Sequence, residues 1–235
     1  MIITIDGPVG TGKSTVAKKL AHAIGFIFFD TGAMYRILTY GLLKHHIDLS
    51  QTALLEDFLK DFKVDFKIIK HEKHYFFEGE DISEKIRGKE VTAAVSAIAS
   101  IKSVRDKLTA LQRTFAIGVN AVFEGRDMAT VVFPDADLKI FLTGRNEVRA
   151  QRRYNELKTK YLAENQTLTF EQCLDEINER DRSDSTRQYA PLVQASDAFV
   201  IDTSDKTIEE VINSILEHKE TIRTKSAHRS TETHA

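Results

Sequence analysis

The chain has 235 residues and a mass of 26.6 kDa, the size of one large domain or of one domain with an insertion. Hydrophobic residues make up 42% and charged residues 29% of the sequence, so the composition excludes a disordered or fibrous chain. The 33 basic and 35 acidic residues give a formal net charge of -2, which offers no overall field for binding nucleic acid or an anionic membrane.

The sequence contains no apolar run long enough to cross a bilayer, and its first residues lack the form of a signal peptide. We therefore expect a cytoplasmic location and no membrane partner. The single cysteine, Cys173, excludes an internal disulfide, and the scattered histidines do not suggest a metal site.

The first predicted elements are a strand, a helix and a strand. An apolar run at 2–5 ends at Asp6-Gly7-Pro8, which is typical of a buried strand that enters a turn. From Lys13, apolar residues recur at helical spacing until Gly25, and the apolar run at 26–29 predicts a second strand. This βαβ unit predicts a parallel sheet with a right-handed crossover.

Later segments repeat the same alternation. Buried strands are predicted at 121–123, 138–142 and 198–201, and helical patterns lie at about 145–162, 169–181 and 206–218. The sequence therefore predicts an α/β, doubly wound fold with a parallel sheet.

About ninety residues separate the second and third strands, too many for one crossover helix. Alternating residues at 64–68 and 75–77 predict a small antiparallel hairpin, and 90–115 predicts one long amphipathic helix. These segments indicate an inserted lobe. The predicted organisation is a core at 1–36 and 118–218, an inserted lobe at about 37–117, and a polar, disordered tail at 219–235.

The strongest motif is Gly-Pro-Val-Gly-Thr-Gly-Lys-Ser at 7–14, which matches the phosphate-binding loop pattern G-x-x-x-x-G-K-[ST] between a strand and a helix. Glycines let successive backbone N–H groups point at phosphate oxygens, Lys13 reaches the β- and γ-phosphates, and the Ser14 hydroxyl serves Mg²⁺. The motif predicts ATP and Mg²⁺ as ligands. The candidate ATP-binding residues are Gly7, Pro8, Val9, Gly10, Thr11, Gly12, Lys13, Ser14 and Thr15, with Ser14 as the metal ligand.

A phosphate-binding loop does not say what happens to the γ-phosphate. The sequence lacks the guanine-reading Asn-Lys-x-Asp of regulatory GTPases, and it lacks the hydrophobic strand with consecutive acidic residues of motor ATPases. Two classes of protein therefore stay open: a kinase, and a regulatory module that binds a nucleotide without catalysis.

Arginines are concentrated in one region. Eight of the fourteen arginines, but only three lysines, lie between Arg126 and Arg187. Arg149, Arg152 and Arg153 share one face of a predicted helix, and such faces often carry only surface ion pairs. Because arginine grips phosphate bidentately and phosphoryl transfer needs several positioned cations, we interpret most of these arginines as functional.

Four segments together resemble the bacterial cytidylate kinases, and the similarity runs from about residue 2 to 218. They are IDGP with the phosphate loop, FDTGAMYR at 29–36, EGRDM at 124–128 through VVFPDA at 131–136, and ERD at 179–181 through Arg187 with APL at 190–192.

The resemblance implies the nucleoside monophosphate kinase fold: a five-stranded parallel core, an inserted monophosphate-binding lobe, and a short lid at about 150–187. It implies phosphorylation of CMP and dCMP by ATP with Mg²⁺, giving CDP or dCDP. The implied partners are small molecules, without nucleic acid, and a monomer is expected.

The resemblance also assigns roles to residues. The implied catalytic residues are Lys13, Arg126, Arg153 and Arg187. The implied substrate-binding residues are Ser96, Arg105 and Asp127 for the base, Arg180 and Asp184 for the sugar, Arg36, Arg126 and Arg187 for the acceptor phosphate, and Thr31. Cytosine presents an amino donor beside two acceptors, so Asp and Ser can accept from it while Arg donates to it.

One position departs from the family pattern, which has glycine where this sequence has Ala129. An alanine there would be strained if the turn required a positive φ. Two other readings stay open: a kinase for UMP or for a small metabolite such as shikimate or gluconate, and the noncatalytic nucleotide-binding module.

Overall fold

The computed structural model describes residues 1–69, 72–163 and 167–232, which form two compact units. The first unit comprises Met1–Phe29, Gly118–Thr186 and the chain from Ala190 onward. The second unit comprises Asp30–Ile117 with Arg187–Tyr189.

The first unit is built on a five-stranded sheet. Its strands are β1 (Ile2–Asp6), β2 (Ile27–Asp30), β6 (Ala121–Glu124), β7 (Leu138–Thr143) and β8 (Phe199–Asp202), and they lie in the order β2-β6-β1-β7-β8. The predicted α/β fold with a parallel sheet is confirmed, since β1 pairs in parallel with β6 and β7, and β7 pairs in parallel with β8. Ile5 lies opposite Glu124 on one side and Ile140 on the other, so these three strands end at one edge of the sheet. Open parallel sheets bind their ligands at this edge.

Four helices and one turn complete the first unit. They are α1 (Lys13–Ile24), a π turn at Met128–Val132, α6 (Asn146–Ala163), α7 (Phe170–Thr186) and α8 (Ile208–Glu232). Apolar residues of β1, α1 and α8 pack into one core, in which Ile3, Leu20 and Ile215 are fully buried. Burial of side chains of this size contributes about 1.5–3 kcal/mol each.

The second unit combines helices with a three-stranded antiparallel sheet of order β3-β4-β5. Its elements are α2 (Thr31–Lys44), α3 (Thr52–Asp61), β3 (Asp65–Ile69), β4 (Glu72–Phe77), β5 (Glu80–Asp81), a 3-10 turn at Lys85–Arg87, α4 (Lys89–Ile98) and α5 (Lys102–Phe115). The predicted hairpin is confirmed by the pairing of β3 with β4.

The prediction of one long helix at 90–115 was wrong, because the chain forms α4 and α5 with a break at 99–101. At the break, the Ser100 hydroxyl donates to the Ala97 carbonyl at 2.6 Å, and the Ser100 and Ile101 amides donate to carbonyls three residues back. A serine hydroxyl competes with the backbone for carbonyl groups in this way and can end a helix. The helical spacing of apolar residues continues on both sides of the break, so the sequence pattern does not show it.

Two further boundaries differ from the sequence prediction. The second unit begins at Asp30 rather than at 37, because Ala33, Met34 and Tyr35 of the continuous helix α2 belong to its core. The sequence predicts a disordered tail from 219, but helix α8 continues to Glu232. No glycine or proline interrupts the helix in this segment. Residues 233–235 lie outside the described chain.

Across the three described ranges, none of the helices combines the length and the apolar character that crossing a membrane requires.

Candidate functional site

The phosphate loop leaves β1 at Asp6 and enters α1 at Lys13, as the sequence predicts. Gly7 has a φ of 146°, and a Cβ there would lie 2.1 Å from the Leu142 carbonyl oxygen, so the turn requires glycine. Gly12 is left-handed, and no side chain caps the N–H groups of the first turn of α1. These N–H groups and the helix dipole favour an anion at this end of α1.

Lys13 is 5% exposed, and its Nζ donates to the Pro8 carbonyl at 2.6 Å. Burial lowers the pKa of Lys13, and the nearby Arg126 cation lowers it further, while Glu124 and Asp184 raise it. Charges of both signs therefore act on the Lys13 ammonium: Glu124 and Arg126 at the end of β6, and Asp184 on α7. Ser14 and Thr15 lie exposed on the first turn of α1.

Arg126, Arg180 and Asp184 form a cluster in the first unit. The Arg126 Nε donates to Asp184 Oδ2 at 2.9 Å, and Arg180 Nε lies 3.6 Å from the same oxygen. The Asp184 side chain is 6% exposed, whereas the two arginine side chains are 22% and 27% exposed. Burial lowers the pKa of Arg180, and Asp184 offsets that effect. One buried carboxylate thus orients two guanidinium groups.

Asp6 is a site residue that the sequence analysis missed. Its carboxylate accepts from the backbone amides of Met128 at 2.9 Å and Ala129 at 2.7 Å. Burial raises the pKa of Asp6 to about 6, although the two amide hydrogen bonds oppose the rise. Asp6 thereby holds the π turn that follows the buried Asp127. The signal in the sequence was a carboxylate directly after an apolar strand.

Ala129 causes no backbone strain. Its φ is not positive, and its amide makes the 2.7 Å bond to Asp6 within the π turn. The turn therefore accepts alanine where the family pattern has glycine.

The three arginines on the predicted face of α6 bind different partners within the protein, and a role for them in phosphate binding stays a prediction. Arg149 is 3% exposed and donates to protein oxygens, including the Val9 carbonyl at 2.9 Å. Arg152 donates to both oxygens of Thr203, at 3.0 and 2.5 Å. Arg153 pairs with Glu156 at 3.2 Å. Helical spacing places side chains on one face, but the neighbouring elements decide what those side chains bind.

In the second unit, the DTGAMYR segment forms the start of α2. Asp30 caps the helix by accepting from the Ala33 amide at 2.9 Å, and the next residue, Thr31, is buried. Arg36 Nη1 donates to the Ile86 carbonyl at 3.1 Å and to the Thr92 hydroxyl at 2.9 Å. The cap and these bonds place both predicted substrate residues on the first two turns of α2.

Two predicted base readers lie in the second unit, and one lies in the first. Arg105 is 4% exposed, its Nη1 donates to the Ala99 carbonyl at 3.0 Å, and its guanidinium lies 5.4 Å from the centre of the Tyr35 ring. Ser96 is half-buried on α4. Asp127 belongs to the first unit, and Arg187, predicted to hold the acceptor phosphate, belongs to the second. The joint action of residues from both units stays a prediction.

Within 1–69, 72–163 and 167–232, no group of three or more His, Cys, Asp or Glu residues could hold a metal ion. Ser14, at the exposed start of α1, offers the single hydroxyl expected of a Mg²⁺ site shared with phosphate oxygens.

Comparison with known proteins gives consistent results. A family model described as cytidylate kinase matches residues 3–221. A cytidylate kinase of Protochlamydia amoebophila (strain UWE25) is 65% identical over 96% of this chain and 99% of its own length. A cytidylate kinase of Fusobacterium nucleatum subsp. nucleatum is 43% identical over 95% of this chain and 99% of its own length. The crystal structure of an uncharacterized protein from Eubacterium ventriosum is similar in fold, with a TM-score of 0.51, 13% identity, and coverage of 94% of this chain and 98% of that one.

Proposed function

The chain belongs to the cytidylate kinase family, and from this membership we propose that it transfers the γ-phosphoryl group of ATP to CMP and dCMP, giving CDP or dCDP and ADP. The observation that carries the proposal is the intact phosphate loop, whose buried Lys13 shares one electrostatic neighbourhood with Arg126 and Asp184. Phosphoryl transfer needs positioned cations of this kind, because its transition state spreads negative charge over the phosphoryl oxygens.

The phosphate loop would hold the ATP phosphates through the backbone N–H groups of the loop and of the first turn of α1. The positive φ angles at Gly7, Gly10 and Gly12 and the uncapped start of α1 fit this role. The Ser14 hydroxyl would hold Mg²⁺, which when bound neutralises charge on the β- and γ-phosphates.

Lys13 Nζ would donate to a phosphate oxygen while keeping its bond to the Pro8 carbonyl, since an ammonium group has three donors. The lowered pKa of Lys13 in the protein alone has burial as its main cause. An approaching anion favours the ammonium form, so phosphate keeps Lys13 protonated where its charge is needed. We assign Arg153 as a further cation toward the transferred group, in competition with its bond to Glu156.

We assign the acceptor phosphate to Arg36, Arg126 and Arg187, and we assign Thr31 as a further substrate-binding residue. Planar guanidinium groups match phosphate oxygens bidentately. Arg180 and Asp184 would bind the sugar, and the ion pair between them keeps both side chains in place.

Asp127, Ser96 and Arg105 would read the base. The Asp127 and Ser96 oxygens would accept from the cytosine amino group, and Arg105 would donate to the acceptor atoms of the ring. Uracil replaces the amino group with a carbonyl, so a carboxylate facing it would be unpaired. This contrast supports CMP rather than UMP as the acceptor.

We infer that the chain acts as a cytoplasmic monomer on small molecules and not on nucleic acid. The near-neutral formal charge of -2 argues against binding to nucleic acid. Light scattering on the purified protein measures its mass in solution, which we expect to be that of a monomer.

An acceptor panel tests the proposed function. ADP release is measured with ATP and Mg²⁺ against CMP, dCMP, UMP, AMP and shikimate, with a sample lacking acceptor as the control for ATP hydrolysis. We expect kcat/KM for CMP and dCMP to exceed that for every other acceptor. Higher activity with UMP or shikimate would assign the chain to a different kinase, and ATP binding without turnover would indicate the noncatalytic module.

A further inference from the structure

Two successive peptides of the phosphate loop are bound by charged side chains of α6 and α7. The Val9 amide donates to Asp181 Oδ1 at 3.4 Å, and the Val9 carbonyl accepts from Arg149 Nη1 at 2.9 Å. Arg149 and Asp181 also pair with each other, with 2.6 Å between Nη1 and Oδ2. The carboxylate and the guanidinium therefore hold Val9 from both sides.

Further hydrogen bonds of its guanidinium group hold Arg149 in this position. It is 3% exposed, its Nε donates to the Gly144 carbonyl at 2.9 Å, and its Nη2 donates to Asn146 Oδ1 at 2.5 Å. A planar group with donors on three nitrogens fits this arrangement, and the single ammonium of a lysine cannot reproduce it. The contacts thus require arginine rather than any cation.

Apolar packing fixes the same part of the loop. The Val9 side chain packs against the buried cluster of Ala150, Cys173 and Ile177 on α6 and α7. A Cβ at Gly10 would lie 3.0 Å from the Arg149 Cβ, so the loop approaches α6 as closely as glycine allows. Val9 and Gly10 are therefore docked on these two helices.

The docked peptide leads directly to Lys13. The Val9 amide and the Pro8 carbonyl belong to the same planar peptide unit. That carbonyl accepts from Lys13 Nζ at 2.6 Å and from the Thr11 hydroxyl at 3.0 Å. Rotation of the peptide would move the carbonyl, so the Asp181 bond to the Val9 amide also sets where Lys13 finds its partner.

We propose that Arg149 and Asp181 are a positioning pair that orients the Pro8–Val9 and Val9–Gly10 peptides of the phosphate loop and thereby aligns Lys13 with the ATP phosphates. The inference rests on the proposed function, because it assigns the pair to the donor side of the same reaction. The proposal gives Arg149 and Asp181 a different role from that of the substrate-binding arginines. The pair acts on the phosphate loop and is not assigned any contact with the acceptor nucleotide.

The test compares Arg149→Lys and Asp181→Asn with wild type and with the control Arg145→Lys. Arg145 forms a two-bond pair with Asp205, at 2.8 and 2.6 Å, but it is exposed and contacts no part of the loop in the bonds described. Measured quantities are KM and kcat with ATP varied, KM with CMP varied, the affinity for a fluorescent ATP analogue, and the melting temperature.

We expect both variants to lose about tenfold to a hundredfold in kcat/KM for ATP, since small misplacements of a reacting group cost that much. KM for CMP should change less than twofold, and the control should match wild type. Combining the two substitutions should cost less than the product of their separate effects, because they disrupt one unit.

A lower melting temperature with unchanged ATP kinetics below the transition would make the pair merely structural and overturn the proposal. An equal rise in both KM values, or an equal loss in the control, would overturn it as well. Analogue binding keeps the two proposals distinguishable. If wild type forms no CDP but the variants still lose analogue affinity, the proposed function fails and the positioning pair stands.

Discussion

Replacing Asp184 with asparagine should destabilise the protein and at the same time make it more responsive to phosphate. The Asp184 carboxylate lies 2.9 Å from Arg126 Nε and 3.6 Å from Arg180 Nε, and its side chain is 6% exposed. Asparagine keeps the shape and one acceptor oxygen but removes the charge. The guanidinium groups of Arg126 and Arg180 then lose the carboxylate they share.

Removing one partner of a fully buried ion pair costs about 3–5 kcal/mol. Arg126 and Arg180 keep 22% and 27% of their side chains exposed, and the amide oxygen of the introduced asparagine can still accept from Arg126, which reduces the cost. We therefore expect the free energy of unfolding to fall by about 2–3 kcal/mol, which lowers the melting temperature by about 4–12 °C in a chain of this size.

Differential scanning fluorimetry with and without inorganic phosphate measures both effects. Phosphate should raise the melting temperature of Asp184→Asn more than that of wild type, because the anion replaces the missing charge between the arginines. The matched control is Asp205→Asn, which removes a carboxylate from the exposed Arg145 pair and should change little. An Asp184 variant as stable as wild type, or one with the same phosphate response, would refute the reasoning.

Three further predictions concern the base, the pH response and the chain terminus. Asp127→Asn should reduce kcat/KM for CMP by about 1–3 kcal/mol in free energy and narrow the ratio of CMP to UMP activity, because an amide can also donate to the uracil carbonyl. The pKa of Asp6 rises from 3.8 to about 6 on folding, so its contribution to stability is fully present below about pH 4 and is lost as the pH increases through about 6; urea unfolding from pH 4 to 7 should show this slope in wild type and not in Asp6→Asn. Truncation after Lys219 should leave melting temperature and activity nearly unchanged, because the removed segment has few apolar residues and its Ile222 is 37% exposed.

Each of these predictions has an outcome that contradicts it. If Asp127 only holds Arg126, all acceptors should suffer alike and the CMP/UMP ratio should stay constant. Equal pH slopes for wild type and Asp6→Asn would mean that Asp6 does not titrate in this range; the charges facing it are Lys13 and Asp127. A drop of many degrees on truncation would show that the end of α8 stabilises the core.

The phosphate loop was predictable because its function depends on local geometry. Glycines at the loop positions and an apolar strand before them are visible in the sequence, and the structure places Gly7, Gly10 and Gly12 at positive φ. The sheet was predictable for a similar reason, since its strands are short and mostly apolar runs.

The partners of charged residues were not predictable, because distant elements supply them. Spacing alone placed Arg149 on a face with other arginines, but the carbonyls of Val9 and Gly144 determine its role. Asp6 acts through amides 122 and 123 residues away, in a π turn that no sequence pattern indicated. The break between α4 and α5 was missed for a related reason, since Ser100 ends a helix without interrupting its apolar period.

Transfer of a labelled phosphoryl group tests the central claim most directly. The protein is incubated with Mg²⁺, CMP and ATP labelled with ³²P at the γ-position, and the products are separated by chromatography, with Lys13→Ala as the control. We predict that wild type places the label in CDP and that the variant loses this activity by several orders of magnitude, because the proposed role of Lys13 is to stabilise the transferred group. Label found in inorganic phosphate rather than in CDP, or undiminished transfer by Lys13→Ala, would contradict the account.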